Sequence, residues 1–318
     1  VIADRRRLWT VVQAILLVIT LAWVGRALAR QWDDVRAVAM ATNLHWGWIT
    51  LASVMVLGTY AILIQSWRLL LAGWGGHLTF AQAARIWTIA NLGRYIPGKL
   101  WSVGALGVLA RQEGVSGVAA AGAAILGTLL NIGAGFGVLA FSGARVLGTF
   151  APWLQSAAIG IGVAFVLGTL ALPRLLPHLL ERVARWRGME PPRAALPAGT
   201  LWLAVTINAV SWLCYGLAFT AFTRGVVPHV AANPATFTAI WTASYLLGYL
   251  VLFAPAGIGV RDGLLTGGLI AVGVAVTAEA SWITMTSRIW LTVCEVLPGL
   301  LALSAVPILQ RRAKRRAP

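Results

Sequence analysis

Six stretches of this sequence run for 20 residues or more with at most two charges each: 8–28, 48–70, 115–141, 153–172, 200–222 and 281–309. A spanning helix needs about 20 mostly apolar residues, so each run is long enough to cross a bilayer. In hydrocarbon every backbone polar group needs a partner inside the protein, and runs of this length satisfy that need as helices. A soluble domain could not keep so much apolar surface from water: 59% of the residues are hydrophobic and only 11% are charged. The chain reads as an all-α polytopic membrane protein, a single integral membrane domain over residues 1–318. The first run is too long for a secretory signal and lacks a small-residue cleavage pattern, so it is expected to stay as a helix.

Charge sets the orientation. The formal net charge is +16, but the arginines flank apolar runs, as the preference for positive cytoplasmic loops requires. No basic module stands apart from the spans, so nucleic acid is not an expected partner; the membrane itself is. Arg5, Arg6 and Arg7 place the N-terminus in the cytoplasm. Arg174, Arg182, Arg185, Arg187 and Arg193 do the same for a long loop, and "RRAKRR" for the C-terminal tail. Residues 30–46, 142–149 and 224–233 then face outside. The first of these, with Asp33, Asp34 and His45, reads as a helix at the outer interface. The basic segment "LLPHLLERVARWRG" reads either as a short amphipathic helix on the inner leaflet or as a solvated linker.

Two regions do not fit simple spans. Residues 81–111 and 235–277 are each broken near the middle by Pro and Gly. Given the orientation, the first starts and ends inside and the second starts and ends outside. Each is a hairpin, either re-entrant or two close-packed spans. Residues 86–96 cover roughly 16 Å as a helix, about half of a hydrocarbon core, which favours re-entry for the first. Residues 235–253 cover roughly 28 Å, so for the second both forms remain open. "IWT" opens both, at 86–88 and 240–242, and the order of span, hairpin, break and span recurs. Entered from opposite faces, the halves are expected to be inverted repeats, an architecture that puts a substrate site near the midplane where broken helices meet. The expected division is 1–45 as an added helix and outer segment, 46–150 as the first repeat and 151–198 as the connector. Residues 199–310 form the second repeat and 311–318 the basic tail.

The breaks carry the charges. "NLGRYIPGKLW" puts Arg94, Tyr95, Pro97, Gly98 and Lys99 together. Pro and Gly free backbone groups, which at membrane depth must be covered by protein or by a wet cavity. Cations there usually face a polar pathway. An anionic head group is their natural partner, gripped bidentately by Arg and by the point charge of Lys. The alternative is a cytoplasmic loop with two ordinary surface charges. The second break carries Arg261 and Asp262, which either pair with each other or leave Asp262 to orient Arg261 or to carry a proton. In the last span Thr284, Arg288, Thr292 and Glu295 share one face by spacing. Arg288 and Glu295, two turns apart, are expected to balance each other's charge, touching directly only with stretched side chains. The alternative is that Arg288 pairs with Asp262 or binds lipid alone. Asn208, Ser211 and Tyr215 form a stripe on the fifth span, and Gln65 and Arg68 end the second. Gly127, Asn131 and Gly135 repeat every four residues, read as close helix packing. The candidate substrate-binding residues are therefore Arg94, Tyr95, Pro97, Gly98, Lys99, Asn208, Tyr215, Arg261, Asp262, Arg288 and Glu295.

No catalytic residue, metal site or cofactor is expected. Cys214 and Cys294 lie inside apolar runs, His45, His77, His178 and His229 are scattered, and no phosphate-binding Gly-rich motif is present.

"GRYIPGKLW", "FAPAGIGVRDG" and "SRIW" together resemble the transmembrane region of bacterial lysylphosphatidylglycerol synthases and their stand-alone, flippase-like relatives, from about Trp48 to the C-terminus. In that family the second motif usually reads P-G-G-I-G with Glu after Arg; here Ala256 and Asp262 stand at those positions. The Glu-Arg pair expected in the third span is absent, where the sequence reads "AAILGTLLNIG". The synthases carry a soluble aminoacyl-transfer domain after the membrane part, and this chain ends at "RRAKRRAP", so only the flippase half is matched. The resemblance implies a bacterial inner-membrane protein that moves an anionic phospholipid or polyprenyl-phosphate-linked lipid between leaflets, without a nucleotide motif to drive it. A membrane enzyme or accessory factor of lipid-linked glycan or envelope-lipid synthesis, working with other envelope-biosynthesis enzymes, is the alternative. A non-catalytic assembly partner would need no buried cations.

Overall fold

The structure is a computed structural model; it describes residues 32–95, 100–150, 152–187, 196–230, 232–251 and 257–316. Ten α-helices make up these residues, with no strand among them: α1 (Trp32–Ala41), α2 (Trp46–Gly73), α3 (Phe80–Asn91), α4 (Leu100–Gln112), α5 (Gly117–Phe150), α6 (Pro152–Arg187), α7 (Ala198–Val226), α8 (Pro234–Leu250), α9 (Val260–Ala271) and α10 (Thr277–Arg316). Five of them, α2, α5, α6, α7 and α10, are long and apolar enough to cross a membrane. They coincide with five of the six expected spans. The sixth, 8–28, lies outside the described residues, as do Pro97, Gly98 and Lys99. The helical segment expected at 30–46 is α1, which packs on α10.

Leu129, Phe141, Leu167 and Leu301 stand on the outer surface, each at least 60% exposed. A belt of large apolar side chains on this scale is tolerated where lipid, not water, covers it. The protein is a multi-pass membrane protein. Half of the most apolar stretch of α7 is buried against only 11% of that of α6. So α7 is the central helix and α6 lies at the periphery.

Helices α2 and α7 pack antiparallel along their whole length. The His45 amide donates to the Gly225 carbonyl at 2.8 Å where α2 begins and α7 ends. Midway, Tyr60 meets Tyr215 and Ser66 meets Asn208. At the far end Leu196 presses on Gly73, where any Cβ would collide with it.

The order of long helix, broken hairpin and long helix occurs twice: α2, α3–α4, α5 and then α7, α8–α9, α10. In each set the first hairpin arm packs on the last helix of the other set, α3 on α10 and α8 on α5. Glycines permit both approaches. A Cβ on Gly299 would come within 2.9 Å of the Thr88 carbonyl, and one on Gly135 would meet Trp212 at 2.8 Å and Leu246 at 3.0 Å. The close packing expected from the Gly127–Gly135 repeat is real at Gly135.

Local chemistry sets the ends of the hairpin arms. Thr79 and Gln82 form a capping box that starts α3, with Gln82 Oε1 accepting from the Thr79 amide at 2.9 Å. The helix tightens into a 3-10 turn, Leu92–Tyr95, just before Pro97, which has no N–H to continue it. Glu113 at the end of α4 accepts from Gln82 at 2.7 Å and pairs with Arg85, which ties the mouth of this hairpin. In the second hairpin Asn233 caps α8, accepting from the Ala235 amide at 2.9 Å, with Pro234 in the first turn. Asp262 accepts from the Gly259 amide at 3.1 Å to start α9. Gly257 and Gly259 take φ of 68° and 83°, values that favour glycine.

The basic segment after the fourth expected span differs from expectation. It is neither a separate helix nor a linker up to residue 187, because α6 runs through Pro173 and Pro177 to Arg187. A proline takes the donor from the carbonyl four residues earlier. For Pro173 that carbonyl belongs to Thr169, and the indole N–H of Trp202 on α7 donates to it at 3.0 Å. A neighbouring helix thus satisfies the group the proline leaves open.

Candidate functional site

Residues that flank the two hairpin breaks, together with the central helices, line a cavity of about 220 Å³. That is below the roughly 300–1,000 Å³ of a pocket that swallows a drug-sized ligand.

One wall carries the charges. At the first hairpin tip Arg94 reaches α10, where its Nη1 donates to Glu295 Oε1 at 2.6 Å, and its Nη2 donates to the Tyr245 hydroxyl on α8 at 2.9 Å. The adjacent Tyr95 hydroxyl donates to the other Glu295 oxygen at 2.6 Å. The Glu295 side chain is 5% exposed and that of Arg94 22%, so this is a largely buried ion pair with both carboxylate oxygens engaged. It staples the first hairpin to the last helix.

At the second hairpin Arg261 is 3% exposed. Its guanidinium carbon lies 4.7 Å from the Trp241 ring centre and 5.2 Å from that of Tyr245. The aromatic faces favour a cation there. Gly248 brings α8 close enough for this arrangement, since a Cβ at that position would lie 2.7 Å from Arg261 Cβ. Two guanidinium nitrogens of Arg261, Nε and Nη2, are buried without a hydrogen-bond partner among the described residues. Asp262 does not pair with its neighbour; it faces Arg288 of α10 at 3.5 Å.

The expected pairing of Arg288 with Glu295 is thus replaced by two pairs across the fold, Arg94 with Glu295 and Arg288 with Asp262. The reason is geometric. Two turns along α10 separate Arg288 from Glu295 by about 10 Å of rise, whereas each hairpin brings an opposite charge to one of them. Among the described residues, three guanidinium groups against two carboxylates leave this wall one positive charge in excess.

The other wall is neutral and polar. Asn208 of α7 donates from Nδ2 to Ser66 Oγ of α2 at 3.0 Å and to the Ala204 carbonyl at 2.8 Å. Asn131 of α5 donates to Asn208 Oδ1 at 2.9 Å, and its backbone carbonyl accepts from the Trp212 indole at 2.8 Å. Aromatic rings join the walls: Tyr60 against Trp87 at 5.4 Å, Trp212 against Tyr245 at 5.7 Å, and Tyr215 stacked with Tyr245 at 6.3 Å between centroids.

Of the residues expected from sequence, Arg94, Tyr95, Asn208, Tyr215, Arg261, Arg288 and Glu295 line this cavity. Asp262 reaches it through Arg288. The stripe on the last helix is one face, with Thr292 on the cavity and Thr284 bonded to Thr266 at 2.9 Å. Ser211 turns inward to the Asn208 carbonyl, and Arg68 bonds Gln65 and the Leu78 carbonyl, away from the cavity. Sequence reasoning missed Tyr60, Trp87, Asn91, Trp212 and Tyr245. The signal available was the clustering of Tyr and Trp at mid-span, away from the interfaces that usually hold them. Asn131, read as a packing position, lines the cavity as well. Among the described residues no group of His, Cys, Asp and Glu could hold a metal ion.

No curated protein matches the chain closely enough to count as a relative. The family pattern described as lysylphosphatidylglycerol synthase TM region matches residues 10–314, nearly the whole chain, and the chain therefore belongs to that family.

Proposed function

We propose that the protein carries an anionic lipid between membrane leaflets, with the head group held between the two hairpin tips. The observation that carries this reading is Arg261. A buried cation with two nitrogens unpartnered among the described residues, beside a cavity whose described charged groups sum to one positive charge in excess, is costly unless an anion completes it. A phosphate fits, because guanidinium groups bind it through parallel hydrogen bonds. The small cavity leaves the acyl chains outside, in lipid.

The transport half of the reading rests on the paired architecture. Helices α2 and α7 occupy equivalent places in the two sets and run antiparallel, so the sets are inverted repeats. Helices α3, α4 and α9 have 12, 13 and 12 residues, about 18–20 Å each, too short to cross a core of about 30 Å. The hairpins therefore re-enter from opposite faces and meet near the midplane. Rocking of one repeat against the other would expose the site to each leaflet in turn. The Lys/Arg distribution orients the protein in a bacterial cytoplasmic membrane with both termini inside.

The test is reconstitution into phosphatidylcholine vesicles with a trace of fluorescent phosphatidylglycerol or phosphatidylcholine, and dithionite quenching from outside. The protein exposes inner-leaflet phosphatidylglycerol faster than phosphatidylcholine, and Arg261→Met removes the difference. Equal rates for both lipids in wild type and variant would reject the head-group role.

A further inference from the structure

The cavity is divided by chemistry, and the division specifies more than an anion. Its charged wall comes from the first hairpin tip, α9 and α10. Its neutral wall comes from α2, the end of α3, α5 and α7, with Asn91, Asn131 and Asn208 on it. Building on the reading above, we propose that the neutral wall is a second subsite, for an uncharged, hydroxyl-rich extension of the phosphate such as a sugar or cyclic polyol.

A carboxamide both donates and accepts, as a hydroxyl does, so amides match polyols in a way that guanidinium or carboxylate groups do not. Asn131 spends one N–H on Asn208, and its Oδ1 accepts nothing among the described residues. The Asn91 side chain makes no hydrogen bond among the described residues and borders the cavity. Asn208 is fixed by Ser66 and the Ala204 carbonyl, so its bond to Asn131 holds that amide in place. Beside these amides stand the rings of Tyr60, Trp87, Trp212 and Tyr215. Aromatic faces give an apolar platform with polar edges, and the C–H faces of a sugar ring are apolar while its hydroxyls point outward.

Aromatic walls also attract ammonium groups, but this cavity argues against one. Glu295 has both oxygens engaged by Arg94 and Tyr95, Asp262 faces Arg288, the excess charge among the described residues is positive, and Arg261 itself covers the faces of Trp241 and Tyr245. An aminoalkyl head group would meet repulsion, and the one carboxylate among the described residues that borders the cavity, Glu295, is already held by Arg94 and Tyr95.

The experiment uses the full chain in nanodiscs of phosphatidylcholine. Three fluorescent lipids with the same acyl chains are titrated: phosphatidic acid, phosphatidylethanolamine and phosphatidylinositol. Two net hydrogen bonds to hydroxyls come to roughly tenfold in affinity, so phosphatidylinositol binds about tenfold tighter than phosphatidic acid. Asn131→Leu brings that ratio close to one. Because Asn131→Leu also strips a buried bond from Asn208, Asn91→Leu serves as the second variant, breaks no existing bond, and narrows the ratio as well. Arg261→Met weakens all three lipids alike. Equal binding of phosphatidic acid and phosphatidylinositol, or a ratio that both Asn variants leave unchanged, overturns the polyol subsite while the anion site stands. Tightest binding of phosphatidylethanolamine overturns it in favour of an ammonium site. No binding of any of the three overturns both readings.

Discussion

The staple between Arg94 and Glu295 makes the most specific energetic prediction. Glu295→Gln keeps the shape and the Tyr95 contact but leaves Arg94 without a counter-charge. Arg94→Met does the reverse to Glu295, whose side chain is 5% exposed. Breaking a buried pair from one side costs about 3–5 kcal/mol, because the remaining charge keeps its desolvation penalty without its partner. The bond is short, 2.6 Å, and joins residues 201 positions apart in sequence, so local rearrangement cannot restore it. Tyr95 and Tyr245 soften the loss, which places each single change at the lower end, about 3 kcal/mol. The double variant removes both charges and should recover most of this, giving a coupling of about 2–3 kcal/mol in a thermal-stability cycle in detergent. The parallel cycle on Arg288→Met and Glu295→Gln should be additive within about 0.5 kcal/mol, since these two belong to different pairs. Additivity in the first cycle and coupling in the second would refute this partner assignment.

Other outcomes follow from the packing and the topology. Gly248→Ala drives a Cβ into Arg261 at 2.7 Å; over-packing of this kind costs about 1–3 kcal/mol, and it should lower both thermal stability and the preference for anionic lipid. Trp202→Phe leaves the Thr169 carbonyl beside Pro173 without its donor and should cost about 1 kcal/mol in the same thermal assay. In a background of Cys214→Ser and Cys294→Ala, His77→Cys and Ala235→Cys, both on exposed positions, should react with an impermeant maleimide from opposite sides of intact vesicles. Reaction from one side alone would end the inverted-repeat reading.

Much of this architecture was legible because lipid simplifies the code. A run of 20 apolar residues has few alternatives to a spanning helix, and five such runs became α2, α5, α6, α7 and α10. The inward face of α10 was legible too, since Thr284, Arg288, Thr292 and Glu295 have no reason to share an apolar helix unless that face is polar. Partner choice was not. Spacing within α10 suggested Arg288 with Glu295, but charges at membrane depth pair with whatever the tertiary fold delivers, here Arg94 and Asp262. The aromatic lining was hidden for a related reason. Tyr60 or Trp212 on an apolar helix looks the same whether it faces lipid, a neighbour or a cavity. The length of α6 was masked by Pro173 and Pro177, which end helices in water. Here the indole of Trp202 compensates the first of them, and that contact spans 33 positions of sequence.

The central claim is that an anionic head group completes Arg261. The measurement that meets it most directly is an experimental structure of the protein in nanodiscs containing phosphatidylinositol, with the phosphate located by its density. The account predicts phosphate oxygens within about 3 Å of Arg261 Nε or Nη2, the polyol toward Asn131 and Asn208, and the acyl chains outside the cavity. A phosphate bound only at the outer surface, with Arg261 still facing Trp241 and Tyr245 and no anion beside it, would contradict the account.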